Sequence, residues 1–228
     1  MELSQNTLSV LKNFSAINQN ILIKQGDVLK TISEARNVVA TARVDCEFPQ
    51  SMGIYDLNEF IGVLSLVDSP QLKVNDEYVT ISDSTGMSKV KYFFSPEETL
   101  TFPQKDIIMP DADVNFTLTG ETLDKIKKAA STLGHEEVSI SSTSDNSSLI
   151  NLSVVDIQNS TSNTFSMDIA CDIPANATFN FVINISNLKL LPGDYDVAIS
   201  SKLISCFSNI KEPVQYWIAL EKTSKYGV

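Results

Sequence analysis

The sequence predicts an α+β protein built from two tandem domains that share one order of elements. Three observations carry this expectation. The first is a repeated amphipathic helix: Glu121–Leu133 places Leu123, Ile126, Ala130 and Leu133 on one face, with Lys125, Lys128 and Thr132 opposite and Lys127 at the flank. Ser4–Asn18 repeats the plan, with Leu8, Leu11 and Phe14 inward and Gln5, Ser9, Asn13 and Ala16 outward. Thr7-Leu8 then aligns with Thr122-Leu123, Leu11 with Ile126, and Lys12 with Lys127. The second observation is a series of short alternating runs after each helix, which read as strands. The third is Ser95–Asp113, where Pro96, Pro103 and Pro110 break any regular element near mid-chain. Two halves of similar length, each strand–helix–strands–helix–strands, indicate an internal duplication. The expected domains are 1–112, including a connector at about 95–112, and 113–228.

Taken in order, the first helix is followed by strands at Ile21–Lys24 and Val28–Ile32, turning at Gln25-Gly26-Asp27, and at Val38–Val44. Tyr55–Val67 is a second helix with Leu57, Phe60, Ile61, Leu64 and Val67 as its buried stripe, and Asp56 favours its positive start. Strands follow at Leu72–Val74, Tyr78–Ser82 and Lys89–Phe94. Within the connector, Ile107-Ile108-Met109 is apolar enough that part of the segment is expected against the protein body. The second half begins with a strand at Asn115–Leu118 and the helix at Glu121–Leu133. Strands at Val138–Ser142 and Leu149–Val154 flank a polar turn at Ser144–Ser148, and Phe165–Ala170 follows. Asn180–Gly193 is expected to run from strand into a short helix stopped by Pro192-Gly193. Tyr195–Ser200, Ile204–Ser208 and Val214–Leu220 complete the half.

Hydrophobic residues at 43% and charged residues at 20% describe a globular chain that can bury a real core. The net charge of -11 argues against nucleic-acid binding by bulk attraction, so any such surface must gather its positive charge locally. Cys46, Cys171 and Cys206 are odd in number and lack metal-ligand spacing, which suits free thiols in a reducing cytoplasm. The start Met-Glu-Leu-Ser-Gln has no secretion-signal pattern, and the apolar runs are too short to cross a bilayer. Neither export nor a membrane is expected.

Catalytic equipment is thin. His135 cannot build a zinc site with distant cysteines and reads as an exposed residue in a helix C-terminal turn. The neighbours Glu136-Glu137 and Asp111/Asp113 are explained by solvated turns; a hydrolase would need one carboxyl of such a pair in an apolar pocket. No phosphate-cradling glycine loop and no nucleophile elbow occurs. No enzyme, metal or cofactor is expected. The lysines say more: Lys12, Lys125, Lys127, Lys128 and Lys189 lie on or beside the helices of the repeated plan, and no carboxylate occurs between Ser4 and Gly26. Lysines on helices suit phosphate attraction without sequence choice.

Four segments together resemble the sliding clamp, or DNA polymerase processivity factor, of large tailed bacteriophages: Leu8–Ile21, Tyr55–Val67, Phe179–Gly193 and Trp217–Glu221. Asn180-Phe-Val-Ile-Asn and Lys189-Leu-Leu-Pro-Gly-Asp-Tyr195 are the most specific of these. The resemblance implies two clamp-type domains per chain, with antiparallel sheets outside and helices inside, and three chains closed head-to-tail into a ring around duplex DNA. It implies a processive polymerase held by encirclement, in the cytoplasm of the infected bacterial host. Lys12, Lys128 and Lys189 fall where the family is basic on its inner helices, while Gln5 and Ser131 are neutral where relatives are often basic. Lys125 and Lys127 extend the set by helix geometry. The implied partners are sequence-independent double-stranded DNA, a polymerase C-terminal peptide and a clamp loader. Ile107 and Met109 of the connector, with Tyr216 and Trp217, are the candidates for the peptide pocket. The tail Lys222–Val228 does not match the family pattern. The alternative reading is a structural β-rich viral subunit that never surrounds DNA.

Overall fold

The computed structural model describes residues 1–143, 148–159, 161–171 and 177–227. The chain splits into two compact units, Met1–Asp106 and Ile107–Val228, and the division falls inside the proline-broken connector.

In the first unit, helix α1 spans Gln5–Ile17 because Ser4 caps it: the Ser4 hydroxyl accepts from the Thr7 amide at 3.0 Å. Its buried face is Thr7, Val10, Leu11, Phe14 and Ile17, with Leu8 only half-buried. Strands β1 (Ile21–Ile23), β2 (Gly26–Ile32), β3 (Val38–Phe48) and β4 (Met52–Ile54) follow. β1 pairs antiparallel with β4, and β2 with β3. Helix α2 covers only Leu57–Leu64. Asp56 is its N-cap, accepting from the Glu59 amide, so Tyr55 stays outside the helix. At the other end the Ser65 hydroxyl donates to the Gly62 carbonyl at 2.6 Å, and the helix stops before Val67. Leu57, Phe60, Leu64 and Val67 are buried and Ile61 half-buried. Strands β5 (Gln71–Val74), β6 (Tyr78–Ser82) and β7 (Lys89–Phe93) form an antiparallel meander. The chain start lies against β5 through a bridge between Glu2 and Gln71.

The second unit opens with β8 (Val114–Leu118) and α3 (Gly120–Leu133), whose N-cap Thr119 accepts from the Thr122 amide. Gly134, at φ 71°, ends the helix in the left-handed region that a side chain would disfavour. Strands β9 (Glu137–Ser142), β10 (Leu149–Val155), β11 (Phe165–Ala170) and β12 (Thr178–Asn184) follow, then β13 (Tyr195–Ser200), β14 (Ile204–Asn209), β15 (Val214–Ala219) and β16 (Lys225–Gly227). One antiparallel sheet runs β11-β10-β9-β12-β16, and β8, β13, β14 and β15 are neighbours in a second. The expected turn at Ser144–Ser148 falls largely outside the described residues.

The units repeat one another in topology. The β1–β4 pair answers to β9–β12, β2–β3 to β10–β11, and β5-β6-β7 to β13-β14-β15. The chain start against β5 answers to β8 against β13. After its last meander strand each unit sends the chain back over the fourth strand: Ser95 donates to the Gly53 carbonyl in one, Glu221 to the Val182 carbonyl in the other.

One expectation needs correction, and two segments gain detail. The short helix before Pro192 is only a 3-10 turn at Ile185–Asn187. Asn184 takes both the amide and the hydroxyl of Ser186, and beyond the turn burial alternates (Leu188 in, Lys189 out, Leu190 in), a period of two rather than 3.6. In the tail, β16 extends the sheet beyond β12, with Tyr226 stacked at 6.0 Å from Phe181. In the connector, Leu100 is the buried residue, whereas Ile108 is 90% exposed and Ile107 and Met109 are half-buried.

Candidate functional site

The two capped helices present their polar faces to solvent, and those faces differ. On α1 the exposed residues include Gln5, Ser9, Lys12 and Ala16, with no carboxylate along the helix. On α3, Lys125 and Lys128 are exposed beside Glu121 and Asp124. Lys125 is held by its own helix: Nζ lies 2.6 Å from the Glu121 carboxylate one turn earlier, which lowers the Glu121 pKa. Lys127 is half-buried, and desolvation holds its ammonium below the usual lysine value despite nearby Asp124. The capping register equates Lys12 with Lys127, but the buried faces of the two helices are rotated relative to one another. By exposure, Lys128 is the counterpart of Lys12. Lys189 is exposed but sits on the extended strap after the 3-10 turn, not on a helix. α2 breaks the basic pattern, since its charged residue is Glu59 and it has no lysine.

Of the residues expected to form a partner pocket, Tyr216 does not reach the surface. Tyr216 is a core residue at 0% exposure, and its hydroxyl accepts from the Leu191 amide while its ring meets Tyr195 edge-on. Trp217, the next residue on β15, faces the other side of the strand and is partly exposed. Alternation along the strand therefore removes Tyr216 from any surface the Trp217 side chain lines.

A pocket that sequence reasoning missed lies in the first unit. About 560 Å³ is enclosed by Leu22, Val28, Phe102 and Pro103 with Lys24, Lys30, Lys105 and Asp106, plus Gln25 and Gln104. Three lysines against one aspartate leave it a net charge of +2 in a chain of -11. Lys24 Nζ stands 5.6 Å from the Phe102 ring centroid, and Lys30 forms an ion pair with Asp106. The hydrogen bond from Lys30, then its charge and that of Lys24, hold the Asp106 carboxyl below its ordinary value. Lys24 and Lys30 straddle the Gln25-Gly26 turn, a spacing without meaning until Phe102–Asp106 is laid beside it.

The other candidates have structural roles. Asp113 accepts from the Ser201 amide at 2.6 Å, and His135 is half-buried with Nε2 2.7 Å from the Asn163 carbonyl. Burial, then the charges of Asp156, Glu136 and Glu221, push the Glu137 pKa up. Among the described residues Cys46, Cys171 and Cys206 form no disulfide, and the Cys171 thiol donates to the Asn115 carbonyl. Among the described residues, no helix is long and apolar enough to cross a membrane.

Comparison with known proteins matches both units. Residues 115–222 fit the family model described as the gp45 sliding clamp, C terminal, and residues 4–95 fit that of the DNA polymerase processivity factor. The chain is similar to the sliding clamp of Vibrio phage KVP40, with 30% identity over 97% of this chain and 99% of that one. It is 30% identical to the sliding clamp of Escherichia phage RB69 and 27% identical to that of Enterobacteria phage T4, over 99% of both chains in each case. Among solved structures, the proliferating cellular nuclear antigen of Entamoeba histolytica shares the fold, with a TM-score of 0.66 and 15% identity over 94% of each chain.

Proposed function

We propose a mechanism from one premise: this chain belongs to the sliding-clamp family, the DNA polymerase processivity factors of phages related to T4. It is a polymerase accessory, and its work is to keep a replicative polymerase with its template in the infected cell, in the host cytoplasm. The physical gain is effective concentration, since an enzyme tethered to a topologically linked partner rebinds before it diffuses away. No bond is made or broken by the clamp itself.

The observation that carries the proposal is the pair of unlike open edges. Among the described strands that end a sheet, β7 of the first unit and β11 of the second each have a neighbour on one side only and carry opposite charge. β7 exposes Lys89, Lys91 and Phe93, whereas β11 exposes Asp168 between half-buried Met167 and Ile169. Unlike edges join head-to-tail, and a head-to-tail contact whose rotation closes makes a ring in which these two edges cover one another. We take the ring to be a homotrimer with α1 and α3 lining the bore. Lys12 and Lys128 are then the principal phosphate contacts, with Lys127 and Lys189 secondary and Lys125 weakened by Glu121. Each exposed contact is worth about 0–1 kcal/mol, weak enough for sliding. The basic pocket beside Phe102 suits a short acidic and apolar peptide such as a polymerase C-terminus. Exposed Ile108, its half-buried neighbours Ile107 and Met109, and Trp217 are further candidates for that partner and for the clamp loader.

Native mass across a dilution series tests the assembly: a trimer at high concentration is expected, and a strict monomer with no effect on product length rejects the ring. Lys128→Glu should leave the trimer intact while shortening products and flattening the salt dependence of DNA retention. Unchanged processivity across a salt series removes Lys128 from the bore.

A further inference from the structure

The polar half of the pocket in the first unit already holds a ligand, and that ligand is the chain's own Asp106. The segment that carries it is fastened upstream, where Thr101 donates its amide to the Asn20 side chain and accepts from the Asn18 side-chain amide. From Phe102 to Asp106 it has no regular secondary structure, and the Lys30–Asp106 ion pair clasps its far end to β2. Both partners face solvent, Lys30 at 38% and Asp106 at 79% exposure, so the pair exchanges readily with other ions. Lys24, against the Phe102 ring, puts a second cation beside the same apolar floor.

We propose that Asp106 is a built-in competitor for this pocket, and that an incoming peptide opens the clasp by placing its own carboxylate on Lys30 beside an apolar side chain on Phe102. The inference rests on the pocket being the peptide receptor. Charge complementarity names the occupant: without Asp106 the lysines number three against none, and an acidic extended peptide restores the balance. A neutral apolar peptide gains nothing from Lys30 and leaves the clasp shut. The pocket thereby selects for acid next to apolar, and the competitor lowers affinity for every acidic peptide by the same factor.

The test uses the full chain and a fluorescent ten-residue peptide of Leu and Phe side chains interleaved with Asp, together with a twin carrying Asn at each Asp. Fluorescence anisotropy should show the Asp peptide binding more tightly than its twin. Asp106→Asn should tighten the Asp peptide about two- to fivefold, the scale of one exposed ion pair, and leave the twin unchanged. Lys30→Ala should weaken the Asp peptide, and in the Lys30→Ala background Asp106→Asn should lose its effect. Binding of the Asp peptide with no gain from Asp106→Asn overturns the clasp and leaves the receptor standing. Failure of both peptides to bind any variant overturns the receptor and the clasp together.

Discussion

The first unit lays two helices, α1 and α2, on its strands, whereas the second keeps α3 and reduces the counterpart of α2 to a single turn at Ile185–Asn187. The strands beneath barely register the loss. Met52, Gly53 and Ile54 of β4 are all buried, and so are Phe181, Val182 and Ile183 of β12. What the duplication preserved is the pairing of strands and the buried positions that force it; helix length is a local matter, decided by a cap, a glycine or a proline. The same contrast recurs where the returning chain crosses the fourth strand. In the first unit a Cβ on Gly53 would stand 2.2 Å from the Ser95 carbonyl oxygen, whereas the second unit carries Val182 at the matching place.

The comparison can be broken most severely at a helix anchor. Phe14 is fully buried under α1, and Phe14→Ala should cost about 3–5 kcal/mol in denaturant unfolding. A loss below about 1 kcal/mol would mean α1 is dispensable to its unit. Next comes the crossing: Gly53→Ala forces the added methyl into Ser95 and Leu100 and should cost about 1–3 kcal/mol. If the variant melts like the parent, the close approach is not rigid. A smaller effect is expected at the caps, where Asp56→Ala should remove about 0.5–2 kcal/mol and shorten α2 by circular dichroism. Asn184→Ala, which caps only a turn, should leave helix content unchanged.

The finest contrast is one of pH. The β6–β7 turn is held by Asp83, which accepts from the Thr85 hydroxyl and from the amides of Met87 and Ser88; chiefly the Thr85 bond lowers its pKa to about 2. The matching β14–β15 turn is held by Asn209, which accepts from the amides of Lys211 and Glu212 and has no proton to gain. Because the Asp83 value is depressed, its contribution is whole above the ordinary aspartate value of 3.8 and is lost as pH falls through about 2. Amide exchange at Met87 should therefore quicken in acid relative to Lys211 once intrinsic rates are removed. Parallel behaviour of the two amides would show that the carboxylate is not what closes the first turn.

Much of this was readable from the residues alone, and the failures have physical causes. The helical faces of α1 and α3 were legible because Leu11, Phe14, Leu123 and Ile126 follow one period, and Asp56 was legible as a helix-start signal. The helix expected near Leu188–Leu191 failed because apolar residues two apart and three apart both fit that stretch, and only burial separates them. β4 and β16 were missed because three residues are too few to show alternation. Tyr216 was misplaced because strand composition does not say which face is the core. The pocket escaped notice because Lys24, Lys30 and Phe102 lie far apart in sequence and meet only through tertiary structure.

The claim on which all of this turns is that the clamp holds DNA by topology and not by grip. The direct measurement loads labelled protein onto a nicked circular duplex in the presence of the proposed clamp loader, then cuts the circle once and follows the bound fraction. Retention on the circle and rapid loss after the cut is the result expected of a ring that slides off an end. Equal retention on circular and linear duplex would mean a binding surface in place of a bore, and the account would fail.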